Sequence, residues 1–360
     1  MRTDRSSGLV GALAVPVLGL ALSLGTGVVA GPGLAAAHAQ PANVAVDRFG
    51  DFPSFPRDPA LLAAQVSPQV VNINTSFGYN NAVGAGTGII IDPGGTVLTN
   101  NHVISGATDI SAFSVGNGQT YGVDVIGYDR AHDVAVLQLR GSGGLPAATI
   151  GGGVAVGEPI VAMGNAGGQG GAPSFVPGRV IAVNQTVQAT EQLTGAQETL
   201  TGLIQVDAGI KPGDSGGPVI NEAGQVIGMN VAATDTYKLT GGTGYAIPIG
   251  QAMAIAGQIR SGIGSRTVHI GPTPFLGLGV SDNGGNGAKV ERVVPSGPAA
   301  AAGLVPGDVV LSVNSMRING STSMVDALTG FRPGDMITLA WRGADGERSQ
   351  NITLAEGPPA

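Results

Sequence analysis

Short runs in which apolar residues alternate with small or polar ones recur along most of the chain, and glycine- and asparagine-rich turns separate them. This alternation predicts β-strands, because successive side chains of a strand point to opposite faces. One set of runs lies between residues 70 and 139, and a second of similar length lies between residues 159 and 248. Many short strands joined by turns are typical of barrels and sandwiches, so we predict a mainly β protein with two barrels.

Helical patterns interrupt the strands at two places. The run from Pro59 to Val66 predicts a helix that ends before Pro68, and the run from Gly250 to Ile263 predicts another. Residues 263–274 are polar and contain glycine, and we interpret them as a linker. Beyond the linker lie a predicted helix and three predicted strands: about Thr322–Thr329, Lys289–Val294, Gly307–Asn314 and Ile337–Arg342.

Residues 1–39 have the pattern of a secretory signal peptide. Arg2 and Arg5 precede an apolar run from Leu9 to about Ala30, and Ala37–Ala39 offers small residues for cleavage. We therefore expect cleavage after Ala39 and a protein that is secreted or held at the cell envelope. The alternative is an uncleaved anchor, because the apolar run is long enough to cross a bilayer.

The composition narrows the possible functions. The 360 residues include 62 glycines and only 4% aromatic residues, which suits β structure with small side chains and many tight turns. The net charge is −7 and no basic stripe is present, so nucleic-acid binding is not predicted. The chain has no cysteine, which excludes disulfides and thiolate metal sites. We predict no metal and no cofactor.

The candidate chemistry begins at residues 213–218, GDSGGP, where Ser215 lies between glycines in a predicted turn. A serine hydroxyl is a poor nucleophile unless a base takes its proton and N–H groups stabilise the oxyanion. His102 directly follows a predicted strand, and Asp133 opens another. Taken singly, each of these residues is also typical of an ordinary loop or turn. We interpret His132 as a surface neighbour of Asp133.

Three segments together carry a family resemblance. TNNHV at residues 99–103, DVAVL at 133–137 and GDSGGP at 213–218 resemble, in this order, the catalytic blocks of chymotrypsin-fold serine proteases. The lack of cysteine and the appended C-terminal region make the chain similar to the high-temperature-requirement (DegP-type) family, and within it to the secreted PepA type of actinobacteria. The resemblance spans about Val66 to Leu354.

This resemblance implies a chymotrypsin-like double β-barrel protease domain at residues 60–262 and a PDZ domain at residues 275–356. It implies that Ser215 attacks a peptide carbonyl, that His102 takes and returns the proton, and that Asp133 orients the imidazole. The backbone N–H groups of Gly213 and Ser215 would form the oxyanion hole. Because His102 has to be neutral, activity is expected to rise through about pH 6–7.

Asp214 departs from the family pattern, because family members commonly carry asparagine before the nucleophile. In zymogen-activated digestive proteases an aspartate here pairs with a newly cut N-terminal amine, and this chain has no Ile-Val-Gly-Gly start that would supply one. We expect Asp214 to be solvated or paired otherwise, for instance with Lys211. The oxyanion loop would then be poorly formed at rest.

The substrate pocket is expected to favour small aliphatic side chains. Gly209 lies six positions before Ser215 and leaves no charge that would bind lysine or arginine. Other expected lining residues are Ile210, Asn230, Val231 and Ala232. One methylene in such a pocket is worth about 1–3 kcal/mol, so selectivity would be loose. The implied substrates are unfolded or partly unfolded proteins.

The resemblance also implies a peptide-binding groove in the PDZ domain. The loop that would hold a peptide carboxylate consists of Phe275, Leu276, Gly277 and Leu278. A C-terminal peptide would add a strand beside Leu278 and Val280, with its last side chain near Met324 and Leu328. The alternative is that Met324 and Leu328 belong to the domain core. Peptide binding is expected to tighten residues 209–213 and raise activity.

Residues 40–59 are rich in proline and contain Phe49, Phe52 and Phe55. This segment is either a disordered spacer or, by the resemblance, an arm that packs against a neighbouring subunit of a homotrimer.

Two functions from different classes follow from the whole chain. The main interpretation is a secreted serine endopeptidase regulated by its PDZ domain. The alternative is a non-catalytic peptide-binding chaperone on the same scaffold, because Asp214 lacks the amine partner.

Overall fold

The computed structural model describes residues 58–79, 82–191, 197–231, 237–239 and 244–359. The predicted signal peptide and the three phenylalanines of the predicted arm lie outside these ranges, as does Ala232 of the predicted pocket. All described residues belong to one compact unit.

The first barrel consists of six antiparallel strands in the order β5-β4-β1-β2-β3-β6, and it closes because β5 also pairs with β6. One face of each strand points into the barrel, as β4 illustrates by its alternation of buried and more exposed positions. The elements are β1 Val70–Phe77, β2 Ala82–Ile90, β3 Thr96–Thr99, the short helix α2 Asn101–Ile104, β4 Asp109–Ser114, β5 Thr120–Asp129 and β6 Val134–Leu139.

The second barrel has the same number of strands, in the order β8-β7-β10-β11-β13-β9, and pairing of β8 with β9 closes it. A further strand, β12, extends the sheet beyond β8. The elements are β7 Pro159–Gly164, β8 Ser174–Glu191, β9 Gln197–Val206, β10 Pro218–Ile220, β11 Val226–Val231, β12 Tyr237–Leu239 and β13 Tyr245–Pro248.

Two helices help to join the barrels. Helix α1 (Pro59–Val66) begins at Asp58, whose carboxylate accepts the N–H of Ala60 at 2.9 Å. Helix α3 (Ile249–Arg260) follows β13. A single cluster of buried apolar side chains contains residues of both helices and of both barrels, among them Leu62, Leu98, Met229 and Ile255. This shared core holds the two barrels in one arrangement and so determines what meets at their seam.

Residues 263–274, for which the sequence predicts a linker, contain ordered strands. Strand β14 (Val268–Ile270) pairs with β5 and extends the sheet of the first barrel. Strand β15 (Thr273–Phe275) pairs with β22 (Ala355–Gly357) near the end of the chain. The Pro359 carbonyl accepts the N–H of Gly106, two residues after α2. The C-terminal region is therefore attached to the first barrel through both of its ends.

The C-terminal region is a six-stranded sheet that packs against two helices. Five of its strands follow one another in the order β16-β17-β18-β20-β21, and β19 pairs with β18. Strand β16 is an edge strand, and Asp282 at its end accepts the N–H and the hydroxyl of Ser321 at the start of α5, both at 2.7 Å. The elements are β16 Leu278–Asp282, β17 Ala288–Val293, α4 Pro298–Ala301, β18 Val309–Val313, β19 Met316–Arg317, α5 Ser321–Thr329, β20 Met336–Gly343 and β21 Gly346–Thr353.

None of the helices in the described part of the chain combines the length and the apolar character that crossing a bilayer requires.

Candidate active site

Three of the predicted residues meet at the seam of the barrels. His102 lies in α2, one turn beyond the end of β3, and Asp133 lies in the turn before β6. Strands β3 and β6 are antiparallel neighbours with Thr99 opposite Ala135, so the end of one strand and the start of the other lie side by side. Ser215 comes from the turn before β10, in the second barrel.

The side chains form one hydrogen-bonded chain. Nδ1 of His102 lies 2.8 Å from Oδ2 of Asp133, and Nε2 lies 2.9 Å from Oγ of Ser215. A carboxylate only accepts, so Nδ1 carries the proton and Nε2 of the neutral ring is the acceptor that faces the serine hydroxyl. The second carboxylate oxygen, Oδ1, accepts the main-chain N–H of His102 at 2.9 Å. The ring therefore has one tautomer and one orientation.

Burial strengthens these contacts. Asp133 and Ser215 are each 1% exposed, whereas the His102 side chain retains 10% exposure. Asp133 has φ of 54°, a left-handed conformation that aspartate tolerates better than most residues. Asn100 donates from Nδ2 to the Asp133 carbonyl at 3.0 Å and so supports this turn. Asn100 adjoins the predicted histidine, but its sequence context does not reveal this contact.

The turn around the nucleophile is stabilised at several main-chain carbonyls. The carbonyls of Pro212, Gly213 and Ser215 accept hydrogen bonds of 2.7–2.8 Å from the Gly167 N–H, the Thr87 hydroxyl and the Thr87 N–H. Gly213 has φ of 96°, and a Cβ there would lie 2.1 Å from the Asn165 carbonyl oxygen. Only glycine fits at this position.

Comparisons with known proteins agree with this geometry. Residues 86–229 match the trypsin-like peptidase domain, and residues 274–354 match the PDZ domain. Serine protease PepD of Mycobacterium tuberculosis is 33% identical over 316 residues, which cover 82% of this chain and 65% of that protein. The serine endoprotease DegS of Escherichia coli is 28% identical over 86% of this chain and 89% of its own length. The chain belongs to the HtrA family of serine proteases.

A solved structure gives a further comparison. The crystal structure of the serine endoprotease from Yersinia pestis is 27% identical with a TM-score of 0.47, and the match covers 84% of this chain and 98% of that one.

The predicted membership of the HtrA (high-temperature-requirement) family is confirmed, as is the predicted fold class of a double β-barrel followed by a PDZ domain. The closer likeness to the PepA type stays a prediction.

Asp214, the residue that departs from the HtrA pattern, is 6% exposed. Its Oδ2 accepts the main-chain N–H of Lys211 at 2.9 Å, and its own N–H donates to the Lys211 carbonyl at 3.0 Å. The Ser174 hydroxyl donates to the Gly164 carbonyl at 3.0 Å and lies 3.4 Å from Asp214 Oδ1. Burial raises the pKa of the Asp214 carboxyl above its ordinary value, and these hydrogen bonds offset only part of that effect.

The predicted pocket residues differ in their accessibility. Gly209 is exposed and Ile210 is half-buried, so both can contact a substrate. Asn230 is fully buried, and its Nδ2 donates to the Met163 carbonyl at 2.9 Å. Val231 is 1% exposed and belongs to the core shared by the barrels. Ala232 lies outside the described residues.

The residues predicted to line the peptide groove lie at the end of β15, in the turn that follows it, on the edge strand β16 and on helix α5. Leu278, Val280 and Leu328 are partly buried on the domain core, whereas Leu276 and Met324 are each 3% exposed and belong to that core. Gly277 has φ of 81°, a left-handed conformation that favours glycine. The Phe275 ring stacks on Tyr79 of the first barrel, with ring centroids 5.6 Å apart and an interplanar angle of 9°.

Two other histidines lie within the described residues, and each has its own partners. Nδ1 of His132 is 2.8 Å from Oδ2 of Asp129, and this contact raises the pKa of His132. His269 in β14 is buried, with its ring nitrogens 3.2 Å and 3.0 Å from the carbonyl oxygens of Thr329 and Pro272. Both rings are therefore engaged away from Ser215.

Proposed function

We propose that this HtrA protease is an endopeptidase that cleaves unfolded or partly unfolded proteins, with Ser215 as nucleophile. His102 takes the serine proton and later gives it to the leaving amine, and Asp133 keeps the imidazole in the required tautomer. The observation that carries the proposal is the 2.9 Å contact between Nε2 of His102 and Oγ of Ser215, in a ring whose Nδ1 is already bonded to Asp133.

The oxyanion of the tetrahedral intermediate would be stabilised by the main-chain N–H groups of Gly213 and Ser215. Donors of this kind act on charge that develops in the transition state, and loss of one commonly costs about a hundredfold to a thousandfold in rate. The close contacts of this turn support the assignment, because a donor in a held turn needs no reorganisation during the reaction.

The preferred side chain before the scissile bond would be small and aliphatic. The exposed Gly209 and the half-buried Ile210 support this proposal, since neither offers a charge and the branched side chain narrows the space. Cleavage of a peptide library tests it: dominant cleavage after arginine or lysine would overturn the assignment of these two residues as pocket walls.

The PDZ groove would take the C-terminal end of a peptide beside β16. Leu278 and Val280 support this proposal because both keep partly exposed apolar surface on the edge strand β16, and Leu328 does so on helix α5. Peptide binding would tighten residues 209–213 beyond the hydrogen bonds that already hold the carbonyls of Pro212 and Gly213, and so raise activity. A PDZ domain that binds C-terminal peptides without any change in kcat would refute that regulation.

Export and the assembly state complete the proposal, together with domain boundaries at residues 60–262 for the protease and 275–356 for the PDZ domain. Residues 1–39 would be a cleaved signal peptide, and the protein would act outside the cytoplasm; one relative, from Halomonas elongata, bears the name probable periplasmic serine endoprotease DegP-like. N-terminal sequencing of the exported protein tests the cleavage. Residues 40–59 would be the arm of a homotrimer, and sedimentation of a chain that starts at Asp58 tests the arm.

The decisive experiment on function is active-site labelling. A fluorophosphonate should label the full-length protein at Ser215, and Ser215→Ala should abolish both the labelling and the degradation of an unfolded substrate. A protein that binds unfolded chains without being labelled would instead be the peptide-binding chaperone.

A further inference from the structure

Thr87 lies in β2 of the first barrel and is fully buried, yet it contacts the nucleophile turn of the second barrel. Its hydroxyl donates to the Gly213 carbonyl at 2.7 Å and accepts the N–H of Asn165 at 2.9 Å. The direction of both bonds is determined, because a carbonyl can only accept and a main-chain N–H can only donate. The Thr87 N–H donates to the Ser215 carbonyl at 2.8 Å.

These bonds determine how the peptide planes of the turn are oriented. The N–H of Ser215 belongs to the plane between Asp214 and Ser215. Thr87 binds the carbonyls of the two flanking planes, at Gly213 through its hydroxyl and at Ser215 through its N–H. The carbonyl of the same plane, at Asp214, accepts the N–H of Gly217 at 2.9 Å. A peptide plane is rigid, with its C=O and N–H pointing in opposite directions, so this bond and the two Thr87 bonds on either side of it together restrain the orientation of the Ser215 N–H.

The same hydroxyl reaches the other oxyanion donor through one intermediate loop. Asn165, whose N–H is bound to Thr87, begins a short loop in which Gly168 donates to the Asn165 carbonyl at 2.8 Å. The Gly167 N–H of this loop donates to the Pro212 carbonyl at 2.7 Å, and the plane of that carbonyl carries the N–H of Gly213. Loss of the Thr87 hydroxyl would therefore remove a restraint beside the plane of the Ser215 N–H and, through the Asn165 loop, weaken the support of the plane of the Gly213 N–H.

A close approach of the two barrels accompanies this contact. The Thr87 carbonyl accepts the hydroxyl of Thr99 at 2.7 Å, and a Cβ at Gly216 would lie 2.1 Å from the same carbonyl oxygen. Thr99 ends the strand that leads to His102. Thr87 is thus bonded to the strand that leads to His102, to the carbonyls of Gly213 and Ser215 and to the Asn165 loop.

We propose that Thr87 is a positioning residue for the oxyanion hole, acting across the barrel seam through its hydroxyl. It touches neither the substrate nor the reacting atoms, and it orients the N–H groups of Gly213 and Ser215 that do. The inference rests on the proposed serine protease function. Because those donors act on the transition state, removal of the hydroxyl should lower kcat and leave KM nearly unchanged.

The test compares Thr87→Val with Thr87→Ser in the full-length protein. Valine keeps the shape and removes the hydroxyl, whereas serine keeps the hydroxyl and removes the methyl group. Thr75→Val is the matched control, because Thr75 is 2% exposed in neighbouring strand β1 and its hydroxyl has no hydrogen-bond partner in the described part of the chain. Active sites are counted by the end point of fluorophosphonate labelling, so that misfolded molecules do not enter kcat.

We expect kcat per labelled site to fall about tenfold to a hundredfold in Thr87→Val and to stay within about threefold of wild type in Thr87→Ser and Thr75→Val. The affinity for a peptide boronate, whose tetrahedral adduct places an oxygen in the oxyanion hole, should fall by about the same factor as kcat. The KM of the same peptide as a substrate should change less than about threefold.

Equal kcat values in wild type and Thr87→Val would overturn the inference, and so would a loss that appears in KM alone or that Thr87→Ser shares. If the valine variant does not fold, Thr87→Ala takes its place against Thr87→Ser, with the same required difference. A wild-type protein that neither cleaves peptides nor reacts with the fluorophosphonate would instead refute the proposed function, since the variants then have no activity to lose.

Discussion

The substitution Asp133→Asn should inactivate the enzyme by reversing the imidazole tautomer. Asp133 uses both carboxylate oxygens on His102: Oδ1 accepts the main-chain N–H at 2.9 Å, and Oδ2 accepts Nδ1–H at 2.8 Å. An asparagine has only one accepting oxygen, and the main-chain N–H can do nothing but donate. The amide oxygen should therefore face that N–H, which leaves the NH₂ group facing Nδ1 of His102.

An NH₂ group opposite Nδ1 requires that nitrogen to be the acceptor, so the ring proton moves to Nε2. Nε2 then cannot take the Ser215 proton, although the three side chains keep their positions. The expected loss is about 10⁴-fold in kcat, equivalent to about 5.5 kcal/mol of transition-state stabilisation. Asparagine has the same shape and tolerates the left-handed conformation at residue 133, so folding should be retained.

The assay is kcat per labelled active site, together with NMR of the imidazole N–H groups. Asp129→Asn supplies a matched control, because Asp129 is also buried and binds both Nδ1 and the main-chain N–H of His132, at 2.8 and 3.3 Å. This control breaks an equivalent histidine–aspartate pair outside the site and should leave kcat within about threefold of wild type. A kcat for Asp133→Asn within tenfold of wild type, or a ring still protonated at Nδ1, would refute the tautomer argument.

Three further predictions follow from the same contacts. Burial raises the pKa of Asp214 above its value in the unfolded chain, so ionisation of this carboxyl destabilises the fold as pH rises from the unfolded pKa through the folded one. Asp214→Asn should therefore be more stable than wild type by a larger margin at pH 7.5 than at about pH 3, measured as the free energy of unfolding in urea. A difference between variant and wild type that does not change with pH would contradict this. Gly213→Ala should lower kcat at least about a hundredfold, because the new Cβ would lie 2.1 Å from the Asn165 carbonyl oxygen and displace the N–H of residue 213 from the oxyanion hole. The measurement is steady-state kinetics per labelled active site, and an unchanged kcat would disprove the clash. Val280→Asp should weaken the binding of a C-terminal peptide at least about tenfold, measured by fluorescence anisotropy, because it places a carboxylate where the anionic end of the peptide would bind. Val305→Asp at an exposed site is the control. Equal weakening by both substitutions would argue against the groove.

Local patterns in the sequence predict much of this fold. Alternation over a few residues is a property of each strand alone, so the sequence predicts the strands near Val70, Thr96 and Val134 without reference to their neighbours. Helix α3 likewise ends at Arg260, close to the predicted end of its helical pattern. The sequence predicts His102, Asp133 and Ser215 as a site because each lies in a short segment typical of serine proteases, and the order of these segments indicates the family.

The tertiary structure alone reveals what depends on contacts between distant parts of the chain. The sequence predicts a linker where β14 lies, because these three residues form a strand only through pairing with β5. Thr87 lies in a glycine-rich strand with no sign of a role, and its partner Gly213 is 126 positions away. Asp214 could be recognised as unusual, but not the main-chain N–H of Lys211 that binds it. Periodicity and turn propensity act between neighbours in sequence, whereas the hydrogen bonds that orient a catalytic turn form only when the barrels pack together. The sequence therefore predicts which residues are catalytic, but only the tertiary structure determines how their groups are oriented.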